Sequence, residues 1–165
     1  MKPVLLVVDV QKAFFKLSPA TTQSLNQAIE SINAAIALFR EKNLPVVCVQ
    51  HMNTEEKLVP GVEGFQVPDE LDILPSDVHI HKYYSNAFNK TSLEDELRKR
   101  DVDTVIITGF CAEYCVLSTY RGAQDVDLVP ILLRGSLASS VPGNITFVES
   151  ISDIISYGPL KRVLG

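Results

Sequence analysis

Three residues of the kinds used in hydrolytic catalysis stand at the ends of strand-like segments of the sequence. Asp9 comes at the end of the first apolar run, Lys82 closes a short alternating segment, and Cys115 lies six residues beyond Gly109, where another apolar run ends. In an open parallel sheet the ligand crevice lies outside the carboxyl ends of the strands. We therefore expect these three side chains to meet at one site.

The residue types predict nucleophilic catalysis by a thiol. A cysteine at the start of a helix feels the partial positive charge of free backbone N–H groups, which lowers its pKa and favours the thiolate. Asp9 can accept the thiol proton and later return it to a leaving amine, while Lys82 orients the pair and offsets the carboxylate charge. The backbone N–H groups of Cys111 and Cys115 point toward the same place and predict an oxyanion hole.

The elements that must position these residues alternate between strands and helices. Apolar or alternating runs predict strands at 3–10, 46–50, 77–82, 102–109 and 127–133, with a short sixth at 153–157, and helical spacing predicts helices at 24–42, 92–99, 113–124 and 144–150. This order is typical of a doubly wound α/β fold, a mostly parallel six-stranded sheet with helices on both faces. The first strand is expected at its centre. The long connection from His51 to Asp72 is predicted to be a lid or a pocket wall.

Composition narrows the class of protein further. The 165 residues fit one domain, 1–165, and 46% hydrophobic content is ample for a core covered on both faces. A net charge of −5 with interspersed basic residues argues against a nucleic-acid partner. The first apolar run ends at Asp9 without a cleavage site, so we do not interpret it as a signal peptide, and no stretch is long enough to span a membrane. Three cysteines, Cys48, Cys111 and Cys115, form neither a disulfide framework nor a zinc site, which favours the reducing cytoplasm.

Three segments of the chain match the motifs of a known family, in the family's order. They are LLVVDVQKAFF from Leu5, HKYYSNAF from His81 and VIITGFCAEYCVLSTYRGA from Val105. With these segments the chain resembles the isochorismatase-like cysteine hydrolase superfamily, which includes nicotinamidases and N-carbamoylsarcosine amidohydrolases. The third segment is the most specific, because it carries the family's nucleophile loop directly after a buried strand.

The resemblance implies a role for each motif residue. Asp9 is expected to be the general base, Lys82 the third member of a triad, and Cys115 the nucleophile that forms a covalent adduct. The resemblance also implies a cis peptide bond between Phe110 and Cys111. Positions that commonly line the substrate pocket are occupied by Gln11, Phe14, Phe15 and Phe88. Members of the superfamily usually assemble as dimers or larger oligomers, so a homo-oligomer is expected.

Two departures from the family pattern bear on cofactor and substrate. The nicotinamidase metal motif Asp-x-His-x-His is absent: His51 stands alone after the second strand, and we interpret it as a structural or pocket-edge histidine. No metal and no other cofactor are therefore expected. Arg134 and Gly135 replace the Asp-Ala that usually follows the fifth strand. An arginine that reached the pocket would favour a carboxylated substrate.

The leading prediction is hydrolysis of a carbon–nitrogen bond in a small amide, ureido or imide compound. Three alternatives stay open: an enol-ether hydrolase of the isochorismatase type, a binding protein that kept the fold without activity, and a thiol redox protein that uses Cys111 and Cys115. Cys48, inside an apolar strand, is interpreted as a core residue. Glu113 is interpreted mainly as a favourable charge at a helix start.

Overall fold

A single sheet of six parallel strands forms the centre of the protein. The computed structural model describes residues 1–165. Its strands are β1 (Pro3–Val8), β2 (Val46–His51), β3 (Val78–Lys82), β4 (Thr104–Phe110), β5 (Val129–Ala138) and β6 (Ile154–Ile155), in the spatial order β3-β2-β1-β4-β5-β6. Every pairing is parallel. The predicted α/β architecture is confirmed, and the sheet is entirely rather than mostly parallel.

Five helices cover the two faces of this sheet. They are α1 (Pro19–Glu41), α2 (Leu93–Arg98), α3 (Leu117–Asp125), α4 (Gly143–Ser150) and α5 (Tyr157–Val163). One core layer joins α1 and α5 to the sheet, and the other joins α2, α3 and α4 to its opposite face. Helix α1 begins earlier than predicted because the Ser18 side chain caps it, accepting a hydrogen bond from Thr21 N–H, and Pro19 occupies its first position. Helix α5 was not predicted from the sequence.

The strand order places a topological switch point at the middle of the sheet. The chain moves from β1 to β2 and β3 on one side, and then returns to place β4 and β5 on the other side of β1. Helices that leave β1 and β4 cover opposite faces, so a crevice opens between the carboxyl ends of these two strands. β1 is buried over its whole length, which confirms its predicted central position.

Strand β5 is longer than the sequence indicates. It continues to Ala138, so Arg134 and Gly135 lie inside the strand and not after it, and the prediction that they replace a strand-end motif is wrong. The pairing with β4 shifts register at this point, because Ile107 pairs with Leu132 whereas Gly109 pairs with Leu137. Extra residues in a strand form a bulge that strand patterns do not reveal.

The connection between β2 and β3 is packed against the body of the protein. Leu58, Phe65 and Leu71 are buried, and a 3-10 turn forms at Glu63–Phe65. The carbonyl oxygen of Phe65 accepts hydrogen bonds from the buried side chains of Gln11 and Gln50. These contacts fix the connection beside the end of β2.

None of the helices combines the length and apolarity that crossing a membrane requires.

Gly109 is required by the close approach of β4 to β1. Its φ is +116°, and a Cβ atom there would lie 2.7 Å from Val8 N and closer still to Val8 O. We predict that Gly109→Ala lowers the free energy of unfolding by about 2–4 kcal/mol, because backbone of the central strand must move. The control is Gly143→Ala, where a Cβ has no neighbour within 4 Å. Urea denaturation of both variants measures this, and equal stabilities would contradict the prediction.

Candidate active site

The ammonium group of Lys82 is the centre of the candidate site. Its side chain is fully buried at the end of β3, and Nζ lies 2.8 Å from Asp9 Oδ2, 3.1 Å from His51 Nδ1 and 3.4 Å from Cys115 Sγ. An ammonium has three protons and no lone pair, so three acceptors satisfy it completely. The structure therefore brings the three predicted residues together and adds His51 to them.

The backbone of Asp9 turns its carboxylate into this cluster. Asp9 follows β1 directly and adopts a left-handed conformation with φ of +53°, in which its N–H donates to Val49 O over 2.9 Å. The residue is almost completely buried, and its Oδ1 has no hydrogen-bond partner. Burial raises the pKa of the carboxyl group above its ordinary value, although the charge of Lys82 opposes this shift. Asp9 therefore offers one unoccupied, unusually basic oxygen.

Cys115 lies in a π-helical turn and not at the start of an α-helix. The predicted helix 113–124 divides into this turn, Ala112–Val116, and α3, which begins at Leu117. The Phe110–Cys111 peptide bond that precedes the turn is cis. The Cys111 carbonyl accepts hydrogen bonds from Tyr114 N–H and Val116 N–H, whereas the Cys111 N–H has no partner within the chain. Single π-helical turns are rare and frequently occur at functional sites.

The expectation that the helix start lowers the pKa of Cys115 is wrong. Burial and, after it, the negative charge of Asp9 raise the pKa of this thiol to about 12, and the charge of Lys82 only partly opposes these two effects. Desolvation and a neighbouring carboxylate outweigh the few backbone dipoles of a short turn. The thiol is therefore protonated at neutral pH until a base removes its proton.

The sequence interpretation did not place His51 in this cluster. Its Nδ1 contacts Lys82, and its backbone is held by Gln11: His51 N–H donates to Gln11 Oε1 over 2.8 Å, and Gln11 Nε2 donates to His51 O over 3.0 Å. The position of His51 at the end of β2, on the same sheet edge as Asp9, was the signal that could have found it. Gln11 is fully buried, and its amide group donates to His51 O and Phe65 O, so it positions His51. Its predicted contact with a substrate stays a prediction.

The cluster suits an ammonium better than a metal ion. One ligand atom each from Asp9, His51 and Cys115 lies within 4.8 Å of the others, so the view of His51 as a residue without a ligand cluster around it is wrong. However, Lys82 Nζ contacts all three residues. A divalent cation at this point would lie against the buried Lys82 ammonium or have to displace it. Repulsion between the two positive charges therefore disfavours a metal ion here. We assign no step of the reaction to a metal.

The predicted aromatic pocket residues occupy three different places. The ring of Phe14 packs on Phe110 with centroids 5.1 Å apart, and Phe88 packs against the same core layer as Cys115. Phe15 lines a separate surface cavity of about 310 Å³ together with Lys12 and Lys16. That cavity does not include Cys115, and the pocket role of Phe15 stays a prediction. The pocket roles of Phe14 and Phe88 stay predictions.

The other two cysteines and Glu113 have structural surroundings. Cys111 packs in the core layer of α1, whereas Cys115 packs against the opposite layer, which turns the two sulfur atoms apart. Burial raises the pKa of Cys111 to about 11 and that of Cys48 to about 12. The Glu113 carboxylate accepts hydrogen bonds from Ser139 Oγ over 2.8 and 2.9 Å and from Asn144 over 3.1 Å. It thereby fastens the π-helical turn to the segment after β5.

Arg134 does not contribute to the cluster. Its side chain is exposed on β5, and it forms no hydrogen bond or ion pair with Asp9, Lys82 or Cys115. The sequence-based suggestion of a carboxylate-binding arginine therefore has no support in this chain's geometry.

A parallel α/β sheet with titratable side chains at its switch point is the architecture of an enzyme that acts on small molecules. Comparisons with known proteins agree with this class. The isochorismatase domain family matches residues 3–143. The chain is 30% identical over 140 residues to the uncharacterised isochorismatase family protein YrdC of Bacillus subtilis, covering 84% of this chain and 74% of that protein.

Two of the similar proteins have names that state the reaction they catalyse. The ureidoacrylate amidohydrolase RutB of Cronobacter sakazakii is 25% identical, with 96% of this chain and 90% of that protein covered. The crystal structure of N-carbamoylsarcosine amidase from Thermoplasma acidophilum matches with a TM-score of 0.81 and 26% identity, covering 94% of this chain and 95% of that one. The chain belongs to the isochorismatase family, and it is a hydrolase of that family.

The opposing effects of Asp9 on the thiol pKa and on catalysis can be separated. We predict that Asp9→Asn lowers the pKa of Cys115, because a negative charge that raises it is removed. The same variant is expected to lose about 100-fold or more in turnover, because the proton acceptor is lost. Thiolate absorbance against pH, compared with Cys115→Ala to assign the signal, measures the first effect. An unchanged or higher thiol pKa would contradict this electrostatic account.

Proposed function

We propose that this protein hydrolyses a carbon–nitrogen bond in a small amide or ureido compound, with Cys115 as nucleophile, Asp9 as general base and Lys82 as the charge that stabilises both. The single observation that carries the proposal is the buried Lys82 ammonium in contact with Asp9 and Cys115, beside the free Oδ1 of Asp9. A base with an unoccupied oxygen beside a protonated thiol is the arrangement that nucleophile activation requires.

The first half-reaction forms a covalent adduct. Asp9 accepts the Sγ–H proton while Sγ attacks the carbonyl carbon, so that a carbon–sulfur bond forms and the carbonyl oxygen becomes negative. The Cys111 N–H, which has no partner in the chain, is available to donate to that oxygen. Collapse of the intermediate breaks the carbon–nitrogen bond, and the proton held by Asp9 passes to the leaving nitrogen.

The second half-reaction returns the enzyme to its starting state. Asp9, again a carboxylate, accepts a proton from water as the water oxygen attacks the carbonyl carbon of the adduct. The carbon–sulfur bond then breaks, the acid product leaves, and the thiol regains its proton. The raised pKa of Asp9 suits both directions of this transfer, because a carboxyl group with a pKa nearer neutrality both accepts and releases protons readily.

The names of the relatives support a ureido substrate in particular. Ureidoacrylate and N-carbamoylsarcosine both carry a carbamoyl group on nitrogen, and enzymes named for their hydrolysis resemble this chain at low identity. Such a group presents a planar carbonyl carbon between two nitrogen atoms. We propose that this chain acts on a compound of this kind, although its own pocket residues select the remainder of the molecule.

We further propose that the protein is a cytoplasmic homo-oligomer, in which a neighbouring subunit completes the wall of the pocket. Neither of the two surface cavities of the isolated chain is lined by Asp9, Lys82 or Cys115. Large apolar side chains are exposed in the segments beside the site: Tyr83, Tyr84, Tyr114, Val141 and Phe147. Three free cysteines agree with a reducing compartment.

The proposed nucleophile is tested by substitution of Cys115. We predict that Cys115→Ala lowers the rate of ammonia release from small amides and ureides by about 1,000-fold or more, because no other group can form the adduct. Intact-mass analysis of the unsubstituted enzyme should detect the adduct. Cys48→Ala is the matched control, because Cys48 is a buried core cysteine on β2. Undiminished turnover in Cys115→Ala would refute the mechanism.

The proposed assembly is tested by the mass in solution. We expect light scattering after gel filtration to give a dimer or larger, since exposed aromatic side chains near a site usually mark a contact surface. Tyr114→Lys and Phe147→Lys should weaken assembly, whereas Val163→Lys, an exposed apolar residue at the far end of α5, should not. A monomer that turns over substrate at full rate would contradict the proposal.

A further inference from the structure

The third proton of Lys82 points to a role for His51 that the three predicted residues do not explain. Asp9 and Cys115 accept two of the three protons, and His51 Nδ1, 3.1 Å away, accepts the remaining one. The lysine side chain is completely buried, so water cannot take the place of an acceptor. An unpaired ammonium proton in this position would be costly, because a buried charge needs partners for its donors.

The contact with Lys82 determines the protonation of His51. An ammonium only donates hydrogen bonds, so the ring nitrogen that faces it must carry a lone pair, and the ring proton must be on Nε2. Burial lowers the pKa of His51, and the charge of Lys82 lowers it further. Both effects keep the ring neutral, in the one tautomer that can accept from Lys82. The Nε2 atom has no partner within the chain.

The backbone of His51 is fixed as firmly as its ring. Gln11 both accepts from His51 N–H and donates to His51 O, in the manner of a neighbouring strand, and it also donates to Phe65 O. Gln11 is fully buried and lies two residues after Asp9, just beyond the end of β1. Gln11 therefore links His51, which accepts a hydrogen bond from Lys82, to the chain segment that carries the proposed base Asp9.

We propose that His51 is a positioning residue of the reaction: its Nδ1 holds the Lys82 ammonium so that another of its protons is directed at the sulfur of Cys115. This inference rests on the proposed function of Cys115 as nucleophile. When Asp9 removes the thiol proton, the thiolate that forms needs a positive charge in contact with it. With Nδ1 as a fixed third acceptor, Lys82 supplies that charge without rotating away.

The proposal implies a dependence on pH that comes from the ring. The titratable or charged groups that face His51 are Lys82 on β3, Asp9 after β1, Cys115 in the π-helical turn, and Glu56 in the segment after β2. Protonation of His51 would place a donor against the Lys82 ammonium and break their contact. Reactivity of the thiol should therefore fall as the pH falls through the lowered pKa of His51.

Two substitutions separate an acceptor role from simple space filling. In His51→Asn the side-chain oxygen takes approximately the place of Nδ1 and accepts without titrating, whereas His51→Leu keeps comparable bulk without an acceptor. His79→Leu is the matched control, because His79 is an exposed histidine on the same strand as Lys82 and its ring forms a hydrogen bond with Leu74 O, outside the cluster. Circular dichroism establishes that each variant is folded.

The first readout requires no knowledge of the substrate. The rate of Cys115 alkylation by iodoacetamide, followed by peptide mass spectrometry, is measured from acidic to alkaline pH. We expect His51→Leu to react about tenfold more slowly at neutral pH, because a hydrogen bond to a charged group is lost. His51→Asn should retain most of the wild-type rate and lose the part of the acidic decline that comes from the imidazole, and His79→Leu should match the wild type.

The second readout is the tautomer of His51 in the unsubstituted protein. Nitrogen NMR should find the proton on Nε2 and the His51 pKa below its ordinary value, and Lys82→Met should raise that pKa. A proton on Nδ1, or wild-type alkylation in folded His51→Leu, would overturn the proposal. Equal losses in folded His51→Asn and His51→Leu would overturn it as well.

The experiment distinguishes this inference from the proposed function. If no amide or ureide is hydrolysed, the tautomer and the alkylation rates still decide whether His51 positions Lys82. If a substrate is found, His51→Leu should lower kcat more than it changes KM, because the effect concerns the thiolate and not substrate binding. His51→Asn should recover kcat.

Discussion

One buried positive charge determines the chemistry and much of the local geometry of this protein. The Lys82 ammonium lies away from solvent and is compensated by a carboxylate, a ring nitrogen and a sulfur atom that belong to three other parts of the chain. Taking a charge out of water costs several kcal/mol unless its partners are well placed. The need to satisfy this single group therefore fixes the relative positions of four segments: the ends of β1, β2 and β3, and the π-helical turn.

The sheet topology explains why these partners meet. β1 and β4 are neighbours in the sheet although they are far apart in the sequence, and the chain leaves them toward opposite faces. Asp9 and Cys115 thereby flank one crevice, and β2 and β3 extend the same edge to bring His51 and Lys82. Gly109 permits the close contact of β4 with β1 on which this arrangement depends.

The sequence predicted the residues whose positions follow from the ends of strands. It did not predict the contacts, strand length and pKa that depend on side-chain packing. Asp9, Lys82 and Cys115 could be assembled because each lies at or shortly beyond the carboxyl end of a strand, and parallel topology brings such ends together. The contact of His51 with Lys82 depends on the rotation of the His51 ring and on Gln11, which lies 40 residues before His51 in the sequence. Hydrophobic periodicity carries no information about either. The length of β5 depends on a bulge that pairing with β4 creates. The pKa of Cys115 was predicted with the wrong sign because burial, and not the turn, dominates it.

The raised thiol pKa changes how the site has to operate. A cysteine that was already a thiolate would need no base, and Asp9 would then serve only to hold Lys82. Burial and Asp9 together keep the proton on sulfur, so in the proposed mechanism the same carboxylate that opposes thiolate formation is also the group that removes the proton. Transfer of that proton to Asp9 removes the repulsion and leaves Lys82 facing a new negative charge on sulfur. The attraction between Lys82 and Asp9 is thus exchanged for one between Lys82 and Cys115, and the buried charge stays compensated throughout the step.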